Sequence, residues 1–373
     1  MVIGLADEKD GEGYLQKQKD YDLVIKSPGI RKELVSIPYT TATNIFFANI
    51  RGKTIGVTGS KGKSTTTSII YDIVKQAGLR ARLVGNIGNP MLLELLKSNS
   101  QDDVWICELS SFQLSDIDYS PHISVILNIF PEHMDYHGNV ENYYEAKKRM
   151  LAAASNMDYF VYNPAFEELR DLANKLKVQT MPFVDALPFD EKIIPLLGEH
   201  NKDNVRAAVT VAKLLKIDDK AIEAGVKNFK PLSHRLELVG TFKGITFYDD
   251  AISTTPQSTI KAIEALENIG TIFLGGQDRG YNFTQLIDVV VNKKIPNVVL
   301  FPNSGGKMGE GLKGKEKNIL ETESMQEAVR FAYQHTPAGS ICLLSCASPS
   351  FSLWKNFEEK GDSFQEFVKE YGR

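Results

Sequence analysis

The chain contains 373 residues, of which 42% are hydrophobic and 24% are charged, and its formal net charge is −4. This composition is typical of a soluble globular protein, and the small net charge gives no indication of a nucleic-acid or membrane partner. The length exceeds that of one typical hydrophobic core and predicts two or three domains.

The cysteines and the apolar runs bear on the cellular compartment. Cys107, Cys342 and Cys346 lie in apolar or small-residue stretches without the spacing of a metal site, which predicts reduced, buried thiols. The longest apolar runs, such as residues 123–129, have only the length of a strand, so we expect neither a signal peptide nor a membrane span. The sequence therefore predicts a cytoplasmic protein.

The first fifty residues are predicted to form a small, truncated α/β unit. Residues 2–5 and 23–25 have the pattern of strands, and a turn follows at residues 27–30. Asp7 closes the first of these strands, where an acidic residue of a doubly wound sheet can bind a ribose hydroxyl; a solvated turn carboxylate is the alternative. Two or three strands are too few to bury both faces of a parallel sheet.

A glycine-rich loop follows the strand predicted at residues 55–57. The sequence G-S-K-G-K-S-T at residues 59–65 leads into residues 68–77, whose apolar positions have helical spacing. Strand, glycine loop and helix N-terminus form the layout of a phosphate-binding loop, to which Lys63 adds a charge and Ser64 a magnesium ligand. Because Val57 replaces the first glycine of the longer P-loop pattern, an ordinary strand-to-helix turn is the alternative.

Strands and helices alternate from this loop to about residue 231. Strands are predicted at residues 55–57, 82–84, 104–107, 123–129 and 159–162, and helices at residues 90–97 and 142–154 among others. The alternation predicts an α/β fold with a mostly parallel sheet, whose ligands lie at the carboxyl ends of the strands. This rule selects a set that would share one edge with the phosphate loop: Asn86, Glu108, Asn128 and His133.

Three side chains of this region suit a magnesium-dependent ATP site. Glu108 ends an apolar strand, and magnesium prefers oxygen ligands of this kind; an N-capping or turn acid is the alternative. His133 on its own would more often be an ordinary loop histidine. Lys147 would ordinarily belong to a solvated basic face of a helix. Sequence spacing alone decides neither residue.

Residues 232–373 have a strand and helix pattern of their own. Strands are predicted at residues 244–248, 271–274, 297–301 and 340–344, and helices at residues 259–267 and 325–334. This pattern predicts a further Rossmann-like α/β domain. Gly275 and Gly276 are compatible with a simple turn, and residues 345–357 with a helix start that has an aromatic core face.

A series of ordered motifs extends over nearly the whole chain. The motifs are G-S-K-G-K-S-T (59–65), G-N-I-G (85–88), E-L-S-S-F-Q-L (108–114), N-I-F-P-E-H-M-D (128–135), Y-Y-E-A-K (143–147), G-E-H-N-K-D-N (198–204), S-H-R-L-E (233–237), Y-D-D-A-I-S-T-T-P (248–256), G-G-Q-D-R-G (275–280) and S-C-A-S-P-S-F-S-L-W-K-N-F-E-E-K-G-D (345–362). Together they resemble the Mur ligases, most closely the branch that adds D-glutamate.

The resemblance implies a three-domain Mur ligase architecture. A truncated UDP-substrate-binding domain would occupy residues 1–50, a central ATP-binding P-loop domain with helices on both faces of its sheet residues 51–231, and a C-terminal amino-acid-binding domain residues 232–373.

The resemblance also implies site residues, with Lys147 as a carbamylated lysine. The implied catalytic residues are Lys63, Glu108, His133 and Lys147, and two magnesium ions would be held by Ser64, Glu108, His133 and Lys147. The implied ATP-binding positions are Gly59, Ser60, Lys61, Gly62, Lys63, Ser64, Thr65, Asn201, Asn204, Arg235 and Asp250. Gly85 and Asn86 would join Asp7 in binding the muramoyl substrate, and the incoming glutamate would be held by Thr254, Arg279, Ser350, Phe351 and Phe357.

The implied reaction forms an amide bond in peptidoglycan precursor synthesis. ATP would phosphorylate the alanine carboxylate of UDP-N-acetylmuramoyl-L-alanine, and the amine of D-glutamate would then attack the acyl phosphate. Two anions approach one another in the first step, so magnesium and Lys63 are the expected electrostatic catalysts, and Arg279 is the expected carboxylate clamp. We expect a monomer that acts on small molecules, without a nucleic-acid partner or membrane insertion.

Three departures from the family pattern leave alternatives open. The N-terminal unit is shorter than the family usually has, Ile252 lies where the family motif D-S-K-A-T-N has lysine, and Arg279 stands where lysine is common. The alternatives are a related ligase for another amino acid, such as L-glutamate, a folylpolyglutamate-type ligase, and an inactive ATP-binding regulatory homologue.

Overall fold

The computed structural model describes residues 3–7, 10–11 and 13–373. The chain divides into two compact units. Unit 1 comprises the residues up to Pro195 together with His200–Phe229, and unit 2 comprises Leu196–Glu199 and Lys230–Arg373. None of the described helices is long and apolar enough to cross a membrane.

The N-terminal part of unit 1 contains a two-stranded parallel sheet. Strand β1 (Val24–Lys26) pairs with β2 (Tyr39–Thr41), and helix α1 (Ala42–Asn49) follows with Thr41 as its N-cap. Short 3-10 helices occupy Tyr14–Asp20 and Lys32–Leu34. The strand predicted at residues 23–25 is therefore confirmed, shifted by one residue.

The strand predicted at residues 2–5 is wrong for the part that the structure describes. Ile3, Gly4 and Leu5 have no regular secondary structure, and Val2 lies outside the described residues. Ile3 and Leu5 are 82% and 87% exposed, so neither side chain gains from burial against a neighbouring layer. An isolated apolar stretch without a pairing strand does not satisfy the backbone groups that define a sheet.

The rest of unit 1 is built on a six-stranded sheet in which every pairing is parallel. The strands lie side by side in the order β4-β5-β3-β6-β7-β8. Connections from β3 lead towards β4, whereas connections from β5 onwards lead the opposite way, so helices cover both faces and a topological switch point lies between β3 and β6. The strands are β3 (Lys53–Thr58), β4 (Arg80–Gly85), β5 (Asp103–Glu108), β6 (Ile123–Ile126), β7 (Tyr159–Tyr162) and β8 (Gln179–Pro182).

Two helices next to this sheet have well-defined starts, one set by the glycine loop and one by a capping side chain. Helix α2 starts directly after the glycine loop, and α6 starts after Asn139, whose side chain accepts a hydrogen bond from the N–H of Asn142. Arg149–Leu151 and Glu191–Ile193 are 3-10 turns. The helices are α2 (Lys63–Gln76), α3 (Met91–Lys97), α4 (Ser111–Leu114), α5 (Met134–His137), α6 (Val140–Lys148), α7 (Glu167–Lys175), α8 (Glu199–Leu214) and α9 (Asp219–Lys227).

Unit 2 contains a second six-stranded sheet, of mixed type, in the order β13-β12-β11-β14-β10-β9. Only the β9–β10 pair is antiparallel among its described pairings. The strands are β9 (Glu237–Phe242), β10 (Ile245–Asp249), β11 (Ile269–Gly276), β12 (Asn297–Asn303), β13 (Asn318–Glu321) and β14 (Ile341–Leu344). The helices are α10 (Pro256–Glu264), α11 (Thr284–Asn292), α12 (Ser304–Leu312), α13 (Met325–His335) and α14 (Phe357–Gly372).

The predicted α/β class and the predicted strands of both sheets are confirmed. Strand β6 is the one that is clearly shorter than predicted, since it ends at Ile126 rather than at residue 129. The reason is local. The N–H of Leu127 donates to the carbonyl of Thr58, and the carbonyl of Asn128 accepts from Ser60, so these residues leave the sheet and contact the glycine loop.

Candidate active site

The glycine loop lies at the carboxyl end of β3 and requires glycine at Gly62. Gly62 has a φ of 84°, in the left-handed region, and a Cβ atom added there would lie 2.3 Å from Oδ1 of Asn204. Ser64 is half-buried and Thr65 is buried in the first turn of α2. The first N–H groups of α2 have no intrahelical partner and point towards the loop, which is the arrangement that binds phosphate groups.

The loop is fixed by residues that follow β6. Oδ1 of Asn128 accepts a hydrogen bond from the N–H of Lys61 at 2.8 Å, and its Nδ2 donates to the carbonyl of Lys61 at 3.0 Å. Oγ of Ser60 accepts from the N–H of Phe130 and lies 2.9 Å from the hydroxyl of Tyr143. The loop conformation is therefore set by the chain before any ligand binds.

Lys63 lies over this loop. Its Nζ donates to the carbonyls of Gly59 and Ser60, both at 2.9 Å. Lys61 instead points outward and forms an ion pair with Glu132. A flexible ammonium held by two backbone carbonyls keeps its charge beside the N–H groups of the loop, where an incoming phosphate would need it.

Asn201 and Asn204 reach the same loop from α8. Oδ1 of Asn204 accepts a hydrogen bond from Oγ1 of Thr66 at 3.2 Å, and its Nδ2 donates to Oδ1 of Asn201 at 2.9 Å. Asn204 is only 5% exposed. The G-E-H-N-K-D-N motif is thus brought against the first turn of α2, although more than a hundred residues separate them in the chain.

Glu108, the last residue of β5, has an incompletely used carboxylate. The side chain is 1% exposed, and its Oε1 accepts from Nδ2 of Asn86 at 3.0 Å. Its Oε2 is buried and makes no hydrogen bond with any residue that the structure describes. Gly85, with a φ of 112°, allows β4 to end against the carbonyl of Glu108. A buried carboxylate oxygen without a donor fits a bound magnesium ion.

Lys147 projects from α6 to the same edge and is 1% exposed. Its Nζ donates to the carbonyl of Gly59 at 2.9 Å and lies 4.7 Å from the ring centre of Tyr143. Burial, reinforced by the charge of Lys63 and partly opposed by Glu132, lowers the pKa of Lys147 well below its ordinary value. The interpretation of Lys147 as part of a solvated basic face is wrong, because the helix turns this lysine inward and its neighbour Lys148 outward.

His133 starts α5 with a φ of 56° and an exposed side chain. Its ring centre lies 4.9 Å from that of Phe112 in the E-L-S-S-F-Q-L motif. The ring therefore lies beside the segment that follows Glu108. Asp7, in contrast, is exposed in the irregular N-terminal segment, where its N–H donates to the carboxylate of Asp10.

The nucleotide-binding positions predicted for unit 2 meet at the carboxyl end of β10. Asp250 is 4% exposed and accepts hydrogen bonds from Oγ of Ser345 at 2.7 Å and from the N–H of Leu236 at 3.1 Å. Burial raises the pKa of Asp250 to about 6, although Ser253, Ser345 and the charge of Arg235 act in the opposite direction. Arg235, half-buried, lies close enough to Asp250 to affect its charge.

Two loops predicted to hold the amino acid are joined at the same edge of unit 2. The N–H of Gln277 donates to the carbonyl of Pro349 at 2.8 Å, and a Cβ atom on Gly276 would lie 2.4 Å from that carbonyl. Arg279 follows on the first loop and is exposed. Ser350 follows on the second, is 3% exposed, and its Oγ has no hydrogen-bond partner within the described part of the chain.

The remaining three acceptor positions differ in exposure. Thr254 is half-buried just before α10, and Phe351 is 61% exposed. Phe357 starts α14, and its half-buried ring packs against the core of unit 2 with its centre 6.2 Å from the ring of His234. Phe357 therefore has a packing role whatever else it contacts.

Comparison with known proteins gives the family. Residues 57–192 match the Mur ligase middle domain, and residues 234–347 match the glutamate ligase domain of the Mur ligases. The chain is 36% identical over 374 residues to the UDP-N-acetylmuramoylalanine–D-glutamate ligase of a Geobacillus species, covering 92% of this chain and 82% of the relative. It is 33% identical to the same-named ligase of Streptococcus mutans, covering 91% and 81%.

The chain belongs to the Mur ligase family. The fold agrees, since the crystal structure of the MurF ligase from Thermotoga maritima in complex with ADP superimposes with a TM-score of 0.67 at 15% identity, covering 94% of this chain and 89% of that one. The predicted family and the predicted α/β fold of the Mur ligases are thus confirmed.

Two features of this Mur ligase were missed from the sequence. Asn128 was selected only as a residue at the edge, although its side chain clamps Lys61. His234 was not selected at all, yet its Nδ1 lies 2.7 Å from Oδ2 of Asp249, and this contact raises the pKa of His234. The signal for His234 was present in the S-H-R-L-E motif, of which only Arg235 was used.

Proposed function

We propose that this Mur ligase adds D-glutamate to UDP-N-acetylmuramoyl-L-alanine in an ATP-dependent reaction that forms ADP and phosphate, as a step of peptidoglycan precursor synthesis. The observation that carries the proposal is the 33–36% identity, over more than nine tenths of the chain, to relatives that bear the name of this ligase. A monomer in the cytoplasm is part of the proposal. So is the division into domains at residues 1–50, 51–231 and 232–373.

The ATP phosphates are assigned to residues 59–65, with adenine contacts at Asn201 and Asn204. The rigid loop supports this assignment, because Asn128 and Ser60 hold it open without a ligand. Lys63 would neutralise the phosphate that is transferred to the alanine carboxylate. Arg235 is assigned to a phosphate of the nucleotide and Asp250 to its ribose. Two anions then meet beside fixed donors rather than in water, which lowers the barrier.

Magnesium is assigned to Ser64, Glu108, His133 and Lys147. When bound, it would supply charge neutralisation between the ATP phosphates and the substrate carboxylate. Oε2 of Glu108, which has no hydrogen-bond partner among the described residues, supports the assignment, as does a buried lysine whose pKa burial holds well below its ordinary value. That amine can attack CO2, forming an N–C bond and releasing a proton, and the resulting carbamate turns a cation into an anionic ligand.

The two substrates are assigned to opposite parts of the chain. Gly85, Asn86 and Asp7 would contact the muramoyl nucleotide. Thr254, Arg279, Ser350, Phe351 and Phe357 would hold D-glutamate. Exposed Arg279 and the buried Oγ of Ser350, which has no partner in the part of the chain that the structure describes, support an acceptor that carries carboxylates, since both offer hydrogen-bond donors.

An amino-acid panel tests the proposal. Phosphate release is measured with UDP-N-acetylmuramoyl-L-alanine, ATP and magnesium for D-glutamate, L-glutamate and the remaining common L- and D-amino acids. We expect the highest kcat/KM for D-glutamate. A preference for L-glutamate would replace the acceptor, a preference for a folate substrate would indicate a folylpolyglutamate-type ligase, and no turnover with any acceptor would indicate a regulatory homologue.

One residue makes L-glutamate a specific alternative acceptor. Ile252 occupies the position where the family motif has lysine, and it is half-buried with its N–H donating to the carbonyl of His234. An apolar side chain there removes a cation next to Thr254. L-glutamate is therefore the competitor that the panel must resolve most carefully.

A further inference from the structure

Asp116, just beyond α4, connects several N-terminal segments to the central part of unit 1. Its Oδ2 lies 2.7 Å from Nζ of Lys26 in β1, and its Oδ1 accepts from the hydroxyl of Tyr39 in β2 at 3.0 Å. Its backbone carbonyl accepts from Nδ2 of Asn44 in α1 at 2.8 Å. Asp116 is 6% exposed. The three N-terminal elements are thus attached to one residue.

Lys26 continues this connection into the turn that follows β1. The side chain is fully buried, and its Nζ donates to the carbonyl of Ile30 at 2.6 Å and to that of Ser27 at 3.4 Å. The turn is closed by the N–H of Ile30, which donates to the carbonyl of Ser27. The ammonium therefore binds both the carboxylate of Asp116 and the two ends of the turn.

Tyr136 contacts this turn from the other side. Its hydroxyl donates to the carbonyl of Pro28 at 3.1 Å. Its ring lies edge-on to Phe112, with 4.5 Å between the ring centres, and Phe112 is also the ring next to His133. A continuous series of contacts therefore leads from the N-terminal turn to the loop that carries His133.

We propose that Lys26, Asp116 and Tyr136 are positioning residues. They hold the turn at residues 27–30 against the loop that carries His133 and leads into α5 (the α5 loop), so that the turn can contact the muramoyl substrate. The proposal rests on the proposed function for the identity of that substrate. The turn follows the carboxyl end of a parallel strand, which is where ligands bind in such sheets. None of these three side chains belongs to the catalytic or substrate-binding positions assigned above.

The ion pair between Lys26 and Asp116 is better suited to fixing the conformation of the turn than to stabilising the fold. A buried ion pair contributes little net stability compared with apolar side chains of similar volume. An apolar pair, however, could not donate to the carbonyls of Ser27 and Ile30. The directional hydrogen bonds of Lys26 fix the turn in one conformation, and Tyr136 fixes its distance from the α5 loop.

Steady-state kinetics of the full chain test this role. Tyr136→Phe keeps the ring on Phe112 and removes one hydrogen bond, so we expect a rise of about fivefold in KM for UDP-N-acetylmuramoyl-L-alanine. Lys26→Met should raise that KM at least tenfold. In the double variant, the increase in KM should be smaller than the product of the two single increases, because both side chains act on one turn. In each case kcat and KM for ATP stay within about twofold.

Lys17→Met is the matched control. It removes a lysine of the same N-terminal region that pairs with Asp10 at the surface, where the two side chains are 49% and 40% exposed. It should leave both KM values unchanged. An unchanged KM for the muramoyl nucleotide in Tyr136→Phe would overturn the positioning role, as would a fall in kcat that simply follows a loss of folded protein.

Hydrogen exchange of the ligand-free protein separates this inference from the proposed function. Lys26→Met should speed exchange at the amide of Ile30, which closes the turn, at least tenfold, while residues 64–74 of α2 keep their protection. Should the wild-type chain show no turnover with D-glutamate, the proposed function fails but this measurement still decides the positioning role. Uniform loss of protection, or none at the turn in Lys26→Met and Tyr136→Phe, contradicts it.

Discussion

The carboxyl edges of the two large sheets differ in how much of their predicted chemistry is fixed in advance. In unit 1, Glu108 and Lys147 are each 1% exposed, and Asn128 clamps the phosphate loop with two hydrogen bonds. In unit 2, Arg279 is exposed and Phe351 is 61% exposed. The edge assigned to phosphate transfer is therefore preorganised at these residues, whereas the edge assigned to the acceptor presents two of its five assigned side chains, Arg279 and Phe351, to solvent.

This difference predicts which parts of the site can accept substitutions. Charge stabilisation in a transition state depends on donors that do not reorganise. Substitutions near Lys63 or Lys147 should therefore lower the reaction rate strongly. Exposed residues such as Arg279 can change without disturbing packing. Two of the three departures expected from the sequence, at Ile252 and Arg279, lie in unit 2.

The largest effect is expected from Lys147→Ala, which tests whether the buried groups at the edge of unit 1 carry the phosphate-transfer chemistry. Loss of the buried group that contacts the carbonyl of Gly59 in the loop should lower kcat/KM about a thousandfold, as expected when an electrostatic contributor is removed from an active site. Initial rates of phosphate release over substrate concentrations that extend below KM measure it. Short-chain carboxylic acids should restore part of the activity, because a carboxylate can occupy the space of the proposed carbamate.

The control for this prediction is Lys148→Ala. Lys148 is the next residue of α6, but it points outward and pairs with Glu145. Its removal should change kcat/KM less than twofold. Wild-type activity in Lys147→Ala would refute the metal role of Lys147, and an equal loss in both variants would point to damage of α6 instead.

The pH dependence of unit 2 is the second test, since Asp250 is the buried carboxylate of its edge. The folded-state pKa of about 6 lies above the ordinary value of 3.8, so the folded chain binds this proton more tightly than the unfolded chain. The favourable contribution is complete below about pH 4 and is lost as the pH rises through 6. Above that, burial of the charge destabilises unit 2 by about 3 kcal/mol.

Asp250→Asn should remove this dependence. Hydrogen exchange of the β14 amides between pH 4 and 8 measures the local free energy of opening for the variant and for the wild type. The difference should grow in favour of the variant from pH 4 to 6 and then stay constant. Asp288→Asn, on the exposed side of α11, is the control. A difference that does not vary with pH would show that hydrogen bonds, not burial, set the behaviour of Asp250.

Much of the fold could be predicted because both large sheets have continuous apolar strands. Strands β3, β5 and β11 are buried along nearly their whole length, and such runs identify parallel strands without further information. The edge strands β8 and β13 were not predicted, since they are mostly exposed and lack the apolar pattern. The strand prediction at residues 2–5 was wrong, in the part that the structure describes, for the converse reason: an apolar pattern does not guarantee a pairing partner.

From the sequence, only the site residues at the carboxyl ends of the strands could be predicted to lie together. Parallel strands bring their carboxyl ends together, so Glu108 and the phosphate loop could be grouped from the sequence alone. The inward direction of Lys147 and the contact of Asn204 with Thr66 depend on how α6 and α8 pack, which residue spacing does not encode. The connection of Lys26 with Asp116 likewise joins residues that no local pattern relates.

The smallest expected effect concerns Arg279, which tests the open side of the comparison. Arg279→Ala should raise KM for D-glutamate about tenfold, because one charge-assisted hydrogen bond to a carboxylate is lost. Exposure predicts a change in unfolding free energy below about 0.5 kcal/mol. Arg330→Ala removes an equal charge from the exposed surface of α13 and is the control. An unchanged KM for D-glutamate in Arg279→Ala would move the carboxylate clamp elsewhere and leave Ser350, buried and without a partner among the described residues, as the next position to replace. In that case acceptor recognition, like phosphate transfer, would depend on buried groups, and the contrast between the two edges would not hold.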